Sequence, residues 1–128
     1  MSRYATVNLL EVEDSMGDGA PGVQLRFGRK HLGSRDLGVS HIRYEPNLRG
    51  QFAHSHREQE EAYVVVAGSG RMLLDGEVLE LARWDVVRVA PEVVRAFEAG
   101  PDGLELIAVG GPKPPEGDGV PGTAAWPD

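Results

Sequence analysis

Two histidines and a carboxylate stand close together near the middle of the chain. His54 and His56 are separated by one residue, and Glu61 follows five positions after the second histidine. In an extended strand the side chains of residues i and i+2 point to the same face, so we expect the two imidazoles to converge. If a turn at 57–60 folds the next strand back antiparallel, Glu61 meets them there. Two nitrogen donors and one oxygen donor form a ligand set that suits Fe(II) and related divalent ions.

The spacing of these residues resembles the first motif of the cupin superfamily. Four residues separate His56 from Glu61, and six separate Glu61 from Gly68, as in that motif. The resemblance implies an all-β fold, namely a single-domain double-stranded β-helix or jelly-roll barrel, with a mononuclear metal centre in its mouth. It also implies a small-molecule ligand, a homodimer and a divalent metal, for which Fe, Mn, Ni and Zn are the candidates.

The second motif of that family is also recognisable, with Trp84 where glycine is common and with one departure at a ligand position. Trp84-Asp85 begins it, and an apolar run leads to Pro91 and a short turn. The position at which the family usually has a histidine, the fourth metal ligand, is occupied by Arg95. An arginine stays protonated and has no lone pair to donate to a metal. The chain therefore differs from the family at one of four ligand positions.

Two interpretations of Arg95 remain open. In the first, His54, His56 and Glu61 bind a divalent metal, and the protein is an enzyme that acts on a small anionic metabolite. Arg95 would then anchor the substrate, because its planar fork matches a carboxylate or phosphate. In the second, the guanidinium replaces the metal as the cation and pairs with Glu61. The protein would then be a metal-free cupin that binds or senses a small molecule, with the histidines as hydrogen-bonding or acid–base groups.

Several other residues share the parity of the motif positions and are expected to line the pocket. Tyr63 is, with Arg95, a candidate for catalysis, and both are candidates for substrate binding. Phe52 and Phe97 are the apolar candidates for substrate binding. His41 lies on a neighbouring strand, where a structural role is the expectation.

The elements that must position these residues are strands. With 17 glycines and 9 prolines the chain is punctuated often, and apolar runs recur at intervals typical of all-β sandwiches and barrels. Asp75-Gly76 predicts a two-residue hairpin turn. Besides the hairpin around 57–60, we predict strands at 4–12, 23–28, 38–44, 71–74, 78–81, 84–90, 93–99 and 104–109.

Length and composition limit the organisation and the partners. The 128 residues are predicted to form one domain, 1–128, with a barrel core at about 38–109, an N-terminal strand arm at 1–30 and an extended tail at 110–128. The net charge of −7 argues against a nucleic-acid partner. Because the chain has no long apolar run, no secretory segment and no cysteine, we predict a cytoplasmic protein without a membrane partner. The homodimer contact would be the N-terminal strand or an outer face formed by Ala62, Val64 and Val66.

Overall fold

Eight antiparallel strands dominate the computed structural model, which describes residues 3–128. A short helix α1 (Arg29–Leu32) and two 3₁₀ turns (Leu9–Glu11 and Gly17–Gly19) lie outside the sheet. No helix within 3–128 is long and apolar enough to cross a membrane. The strands are β1 (Val23–Phe27), β2 (Gly38–Tyr44), β3 (Ala53–His56), β4 (Glu61–Leu74), β5 (Glu77–Leu81), β6 (Val86–Val89), β7 (Arg95–Gly110) and β8 (Gly119–Gly122).

The two longest strands, β4 and β7, form the framework of the sheet. They pair along almost their whole length, and the register shifts between Val65 and Ala67 and again between Gly68 and Gly70. Such shifts bend and twist a strand pair, so the sheet curls around its own interior. The order β1-β2-β7-β3-β8 continues from one side of this pair, while β5 and β6 pair with β4.

Two glycines permit the close approach of β4 and β7 at the curl. A Cβ on Gly68 would lie 2.0 Å from the carbonyl oxygen of Gly103, and a Cβ on Gly70 would lie 2.2 Å from that of Glu98. Gly68 also has a φ of +73°, in the left-handed region that glycine adopts without steric cost. The glycine that ends the first motif is therefore needed for the bend.

The apolar core fills the inside of this curl. Along β4 the buried side chains alternate with less buried ones, as the two-residue period of a strand requires. Val65, Met72 and Leu106 are fully buried and pack in one cluster with aromatic residues from β4 and β7, Tyr63 and Phe97. These two aromatic rings meet nearly edge to face, with centroids 5.0 Å apart. The same rings form one wall of the cavity described below.

Several predicted elements are confirmed, with longer strands than expected. The predicted strands at 23–28, 38–44 and 78–81 correspond to β1, β2 and β5. Asp75 and Gly76 have φ values of 49° and 87° and connect β4 to β5, as a two-residue hairpin turn requires. The strands predicted at 71–74 and after Glu61 are parts of β4, and those at 93–99 and 104–109 are parts of β7, because register shifts, not chain reversals, separate the halves.

The strand predicted at 4–12 was wrong. Residues Leu9–Glu11 form a 3₁₀ turn, and the side chain of Asn8 accepts a hydrogen bond from the backbone N–H of Leu10. This local bond satisfies the backbone N–H of Leu10 without a partner strand. Because its side chain can form such bonds, asparagine favours caps and turns. Met1 and Ser2, which belong to the predicted N-terminal arm, lie outside the described residues.

The predicted pairing of β3 with the strand that begins at Glu61 was also wrong. β3 pairs with β7 through His54 and Arg95, and with β8 through four residue pairs from Ala53 to His56. The tail after Gly110 thus contains a strand that the sequence did not predict. Its apolar end is docked, since Trp126 packs against the cluster of Ala53, Leu73 and Ala96.

Candidate functional site

The first strand of the motif and the start of β4 face each other across the curled sheet. One ligand-type atom from each of His54, His56 and Glu61 lies within 4.8 Å of the others. Glu61 Oε1 is 3.1 Å from His56 Nε2 and 3.8 Å from His54 Nε2. The convergence expected from the sequence is therefore present, although the pairing of β3 with β7 produces it.

Arg95 occupies the centre of this group. It is the register partner of His54, and directly paired residues of neighbouring strands point to the same face. Its side chain has no exposed surface, and its Nη1 donates to Glu61 Oε1 at 2.7 Å. The other donors are also used: Nη2 bonds the carbonyl oxygens of Ala90 and Pro91, and Nε bonds that of Val93. The guanidinium is thus a fixed internal cation.

Glu61 is an ionised carboxylate in a buried setting. Burial raises its pKa, but the adjacent imidazoles of His54 and His56 and the hydrogen bond from Tyr63 outweigh this effect and hold the pKa well below its usual range. The Tyr63 hydroxyl donates to Oε1 at 2.6 Å. Burial and the Glu61 charge raise the pKa of Tyr63 well above its usual range, so the phenol stays a neutral donor.

His56 lies between two carboxylates. Its Nδ1 is 2.8 Å from Asp118 Oδ1, and its Nε2 faces Glu61 at the distance given above. The contact with Glu61 raises the pKa of His56, burial lowers it, and Asp118 raises it further, so the net shift is upward. The Nε2 contact is short but poorly aligned for a hydrogen bond, and this buried atom has no hydrogen-bond partner within 3–128.

A largely apolar cavity of about 340 Å³ opens next to this group. His54 reaches it with a side chain that is 41% exposed. Most of the wall is apolar or aromatic and comes from β1, β2 and the segment before β3. The lining includes Leu25, Tyr44, Phe52, Phe97, Tyr63, His54, Arg49 and Arg95.

The charged side chains on the cavity wall are already paired. Arg95 is committed to Glu61, and Arg49 bonds Glu98 and the side chain and carbonyl of Asp128. Burial raises the pKa of Tyr44 to about 12, so its hydroxyl is neutral. Among the described residues lining the cavity, neither arginine is free to meet an anion.

The fold of this chain is shared with solved structures of low sequence identity. A cupin protein from Bacteroides fragilis matches with a TM-score of 0.72 and 21% identity, over 100% of this chain and 97% of that one. The chain has the cupin fold. The nucleoside dehydratase Pac13 matches with a TM-score of 0.73 and 19% identity, over 93% of this chain and 91% of that one. The polyketide cyclase RemF from Streptomyces resistomycificus matches with a TM-score of 0.72 and 19% identity, over 96% and 89%. No protein-family model and no curated protein matches the sequence.

The donor set of this site could hold a divalent ion. Atoms that ligate one ion at about 2.1 Å lie roughly 3.0–3.4 Å apart, close to the separations between Glu61 and the two histidines. The unpartnered Nε2 of His56 is the kind of atom that a metal would occupy. Arg95 opposes such an ion: at about 4 Å and an effective dielectric of about 20, a guanidinium and a divalent cation repel by about 8 kcal/mol. Donor type and spacing fit, whereas the local charge does not favour the ion.

The sequence pointed to most of the side chains that the site brings together. Tyr63, Phe97 and Phe52 do line the cavity, and Phe52 stands at its rim, 61% exposed. His41 lies elsewhere, buried against Glu105, in agreement with a structural role. Arg95, which the sequence suggested as a substrate anchor, is completely buried and makes four internal hydrogen bonds, and its role as an anchor stays a prediction.

Asp118 is the residue that sequence reasoning missed. It stands between two glycines in the tail, far from both motifs, and no spacing signal connects it to His56. Only the pairing of β3 with β8 brings it to the site. A lone acidic residue in a stretch of Gly and Pro carries no information about the strand beside which it will lie.

Proposed function

We propose that this cupin is a metal-free small-molecule-binding protein in which the Arg95–Glu61 ion pair takes the place of the metal ion. The observation that supports the proposal is the complete burial of the Arg95 guanidinium, with Nη1 2.7 Å from Glu61 Oε1. A cation that is held in this way neutralises Glu61, the carboxylate that would otherwise ligate a metal ion. The fold by itself carries no such conclusion, since one fold hosts many functions.

The ligand that suits the cavity is neutral, mostly apolar and about the size of one or two rings. The walls are aromatic and aliphatic, and both arginines on the wall are paired within the protein. An anionic ligand would lose its hydration without gaining an unpaired cation, which is costly in a poorly hydrated pocket. This ligand class differs from the anionic metabolite expected from the sequence, because that expectation required Arg95 to be free.

His54 is the group that would act on the ligand. Among the described residues that line the cavity it is the one imidazole, and the ionised Glu61 lies behind it. An imidazole has one ring nitrogen that accepts a proton and one that donates, so His54 can accept a proton from a polar group of the ligand and return it. Catalytic hydrogen bonds are often long in the unliganded protein, and the 3.8 Å between His54 Nε2 and Glu61 Oε1 is in keeping with this.

A pair of matched ligands tests the ligand class. Binding of 2-naphthol and 2-naphthoate, which share one ring system, would be measured by calorimetry at pH 7. We expect the neutral compound to bind at least about tenfold more tightly, a difference of about 1.4 kcal/mol. Leu25→Trp fills the cavity and should weaken that binding, whereas the control Leu79→Trp, on exposed β5, should not. Tighter binding of the carboxylate, or equal binding to both variants, would contradict the proposal.

A second candidate function, a divalent-metal enzyme, is favoured by one specific observation. The buried Nε2 of His56 has no hydrogen-bond partner within 3–128, and a metal ligand is a chemical use for such an atom. His54, His56 and Glu61 would hold the ion, which would supply Lewis-acid chemistry when bound. In that case Glu61→Gln should abolish metal binding, measured by cobalt titration, while the exposed control Glu60→Gln should not. Unchanged binding in Glu61→Gln would rule out this ligand assignment.

We also propose that the protein forms a homodimer through the outer face of β4. Ala62, Val64 and Val66 on this face are only half-buried, which leaves apolar surface for a second copy. Sedimentation equilibrium at micromolar concentration should give twice the mass of the chain, and a monomer would contradict the proposal. The cytoplasmic location and the single-domain organisation stay predictions of the sequence.

A further inference from the structure

A buried carboxylate from the tail holds the inner histidine of the site. Asp118 is 2% exposed and immediately precedes β8. Its Oδ1 contacts His56 Nδ1 at 2.8 Å, while its Oδ2 accepts the backbone N–H groups of Glu58 at 2.9 Å and Gln59 at 2.7 Å. The backbone N–H of Arg57 in turn bonds the carbonyl oxygen of Asp118 at 3.1 Å. Both carboxylate oxygens are therefore fixed from opposite sides.

The contact geometry assigns the hydrogen that lies between Asp118 and His56. Oδ2 accepts two backbone N–H groups and Oδ1 lies 2.8 Å from His56 Nδ1, so both oxygens of Asp118 act as acceptors. The hydrogen between Oδ1 and His56 must then be on Nδ1. In the neutral ring, Nε2 carries the lone pair.

We propose that Asp118 is a positioning residue that fixes the ring orientation and the Nδ1–H tautomer of His56, so that Nε2 faces Glu61. The backbone on both sides of the contact is held by strand pairing, since His56 and Gly119 are register partners in β3 and β8. A carboxylate on one ring nitrogen commonly sets what the other nitrogen can do. The tail of this cupin is thus part of its functional site.

Replacement of Asp118 by asparagine makes a specific change in this network. The backbone of Glu58 and Gln59 presents two N–H donors at this position. The side-chain oxygen of the new asparagine should accept from them, because in the opposite orientation its NH₂ group would face two other donors. The NH₂ group then faces His56 Nδ1, which must become the acceptor. The neutral ring should therefore change to the Nε2–H tautomer.

Long-range ¹H–¹⁵N correlation spectra of the four histidine rings, recorded above the titration of His56, report this tautomer directly. His56→Gln assigns the signal. We expect a protonated Nδ1 in the wild-type protein, its loss with protonation of Nε2 in Asp118→Asn, and the wild-type pattern in the control Asp75→Asn. Asp75 also accepts a backbone N–H, from Val94, but touches no histidine.

Two results would overturn the proposal. One is an Nε2–H tautomer of His56 in the wild-type protein, a result that needs no variant to fold. The other is the same tautomer in wild type and in Asp118→Asn. The inference rests on the site of the proposed function, but the spectra measure neither ligand binding nor metal content, so the two accounts can fail separately.

Discussion

Among changes to the site, removal of the Arg95 charge should lower the free energy of unfolding most. Arg95→Met keeps the length of the side chain and deletes the guanidinium. Glu61, 14% exposed, then loses its cation, and the carbonyl oxygens of Ala90, Pro91 and Val93 lose their donors. Breaking a buried ion pair by removing one partner costs about 3–5 kcal/mol. Because Glu61 keeps the Tyr63 hydroxyl, we expect a loss near the lower end, about 3 kcal/mol.

Urea unfolding at pH 7 measures this loss, and a double-mutant cycle isolates the pair. Glu61→Gln should destabilise less than Arg95→Met, since the amide oxygen still accepts from the guanidinium. In the double variant no charge remains unpaired, so its free energy of unfolding should exceed the additive expectation by about 2 kcal/mol. The coupling would show that the two groups stabilise one another in the folded protein.

The chain contains a matched exposed pair as a control. Arg88 Nη1 lies 3.0 Å from Glu60 Oε2, with side chains 69% and 60% exposed. Exposed ion pairs contribute about 1 kcal/mol or less, so Arg88→Met should change the free energy of unfolding only slightly. If Arg95→Met were as mild as Arg88→Met, or if the cycle were additive, the buried pair would not exist in solution and the central cation of the site would be misassigned.

Three further predictions concern the bend, a strained turn and the acid limb of stability. Gly68→Ala should lower the free energy of unfolding by about 3 kcal/mol or more in urea, because its Cβ meets a carbonyl, whereas Gly119→Ala, with open space, should be mild. Trp84→Gly should raise stability by up to about 1 kcal/mol in the same assay, since Trp84 has a φ of 75°, and a decrease would contradict this. The stability from ionised Asp118 is present above its ordinary pKa of 3.8 and is lost as the pH falls toward 2. In Asp118→Asn the free energy of unfolding should therefore depend less on pH in this range. The same pH dependence as in the wild type would refute the assignment of this stability to Asp118.

The sequence predicted the parts of the site that depend on local periodicity. The i, i+2 spacing of His54 and His56 indicated their convergence, and the family resemblance of the motif that continues to Glu61 and Gly68 implied the fold. The replacement of a ligand histidine by Arg95 also suggested the alternative in which the arginine pairs with Glu61. The geometry supports that alternative over a free anchor.

Other features depend on long-range pairing and had no local signal. β3 pairs with β7 and with the tail, not with the strand that follows it, because β4 curls away across the barrel. Asp118 reaches His56 only through that pairing, 62 residues along the chain. The 3₁₀ turn at Leu9–Glu11 was missed because its alternating apolar residues resembled a strand, while the Asn8 side chain decided the local structure.

The metal content of wild-type protein and of Arg95→His, purified in parallel without chelator, tests the central claim most directly. If Arg95 has taken the place of the ion, the wild-type protein should contain far less than one equivalent of Fe, Mn, Ni or Zn by plasma mass spectrometry. Arg95→His restores a fourth donor and removes a positive charge, so it should approach one equivalent. One equivalent in the wild type, with no more in Arg95→His, would contradict the account and make this chain a three-ligand metal protein.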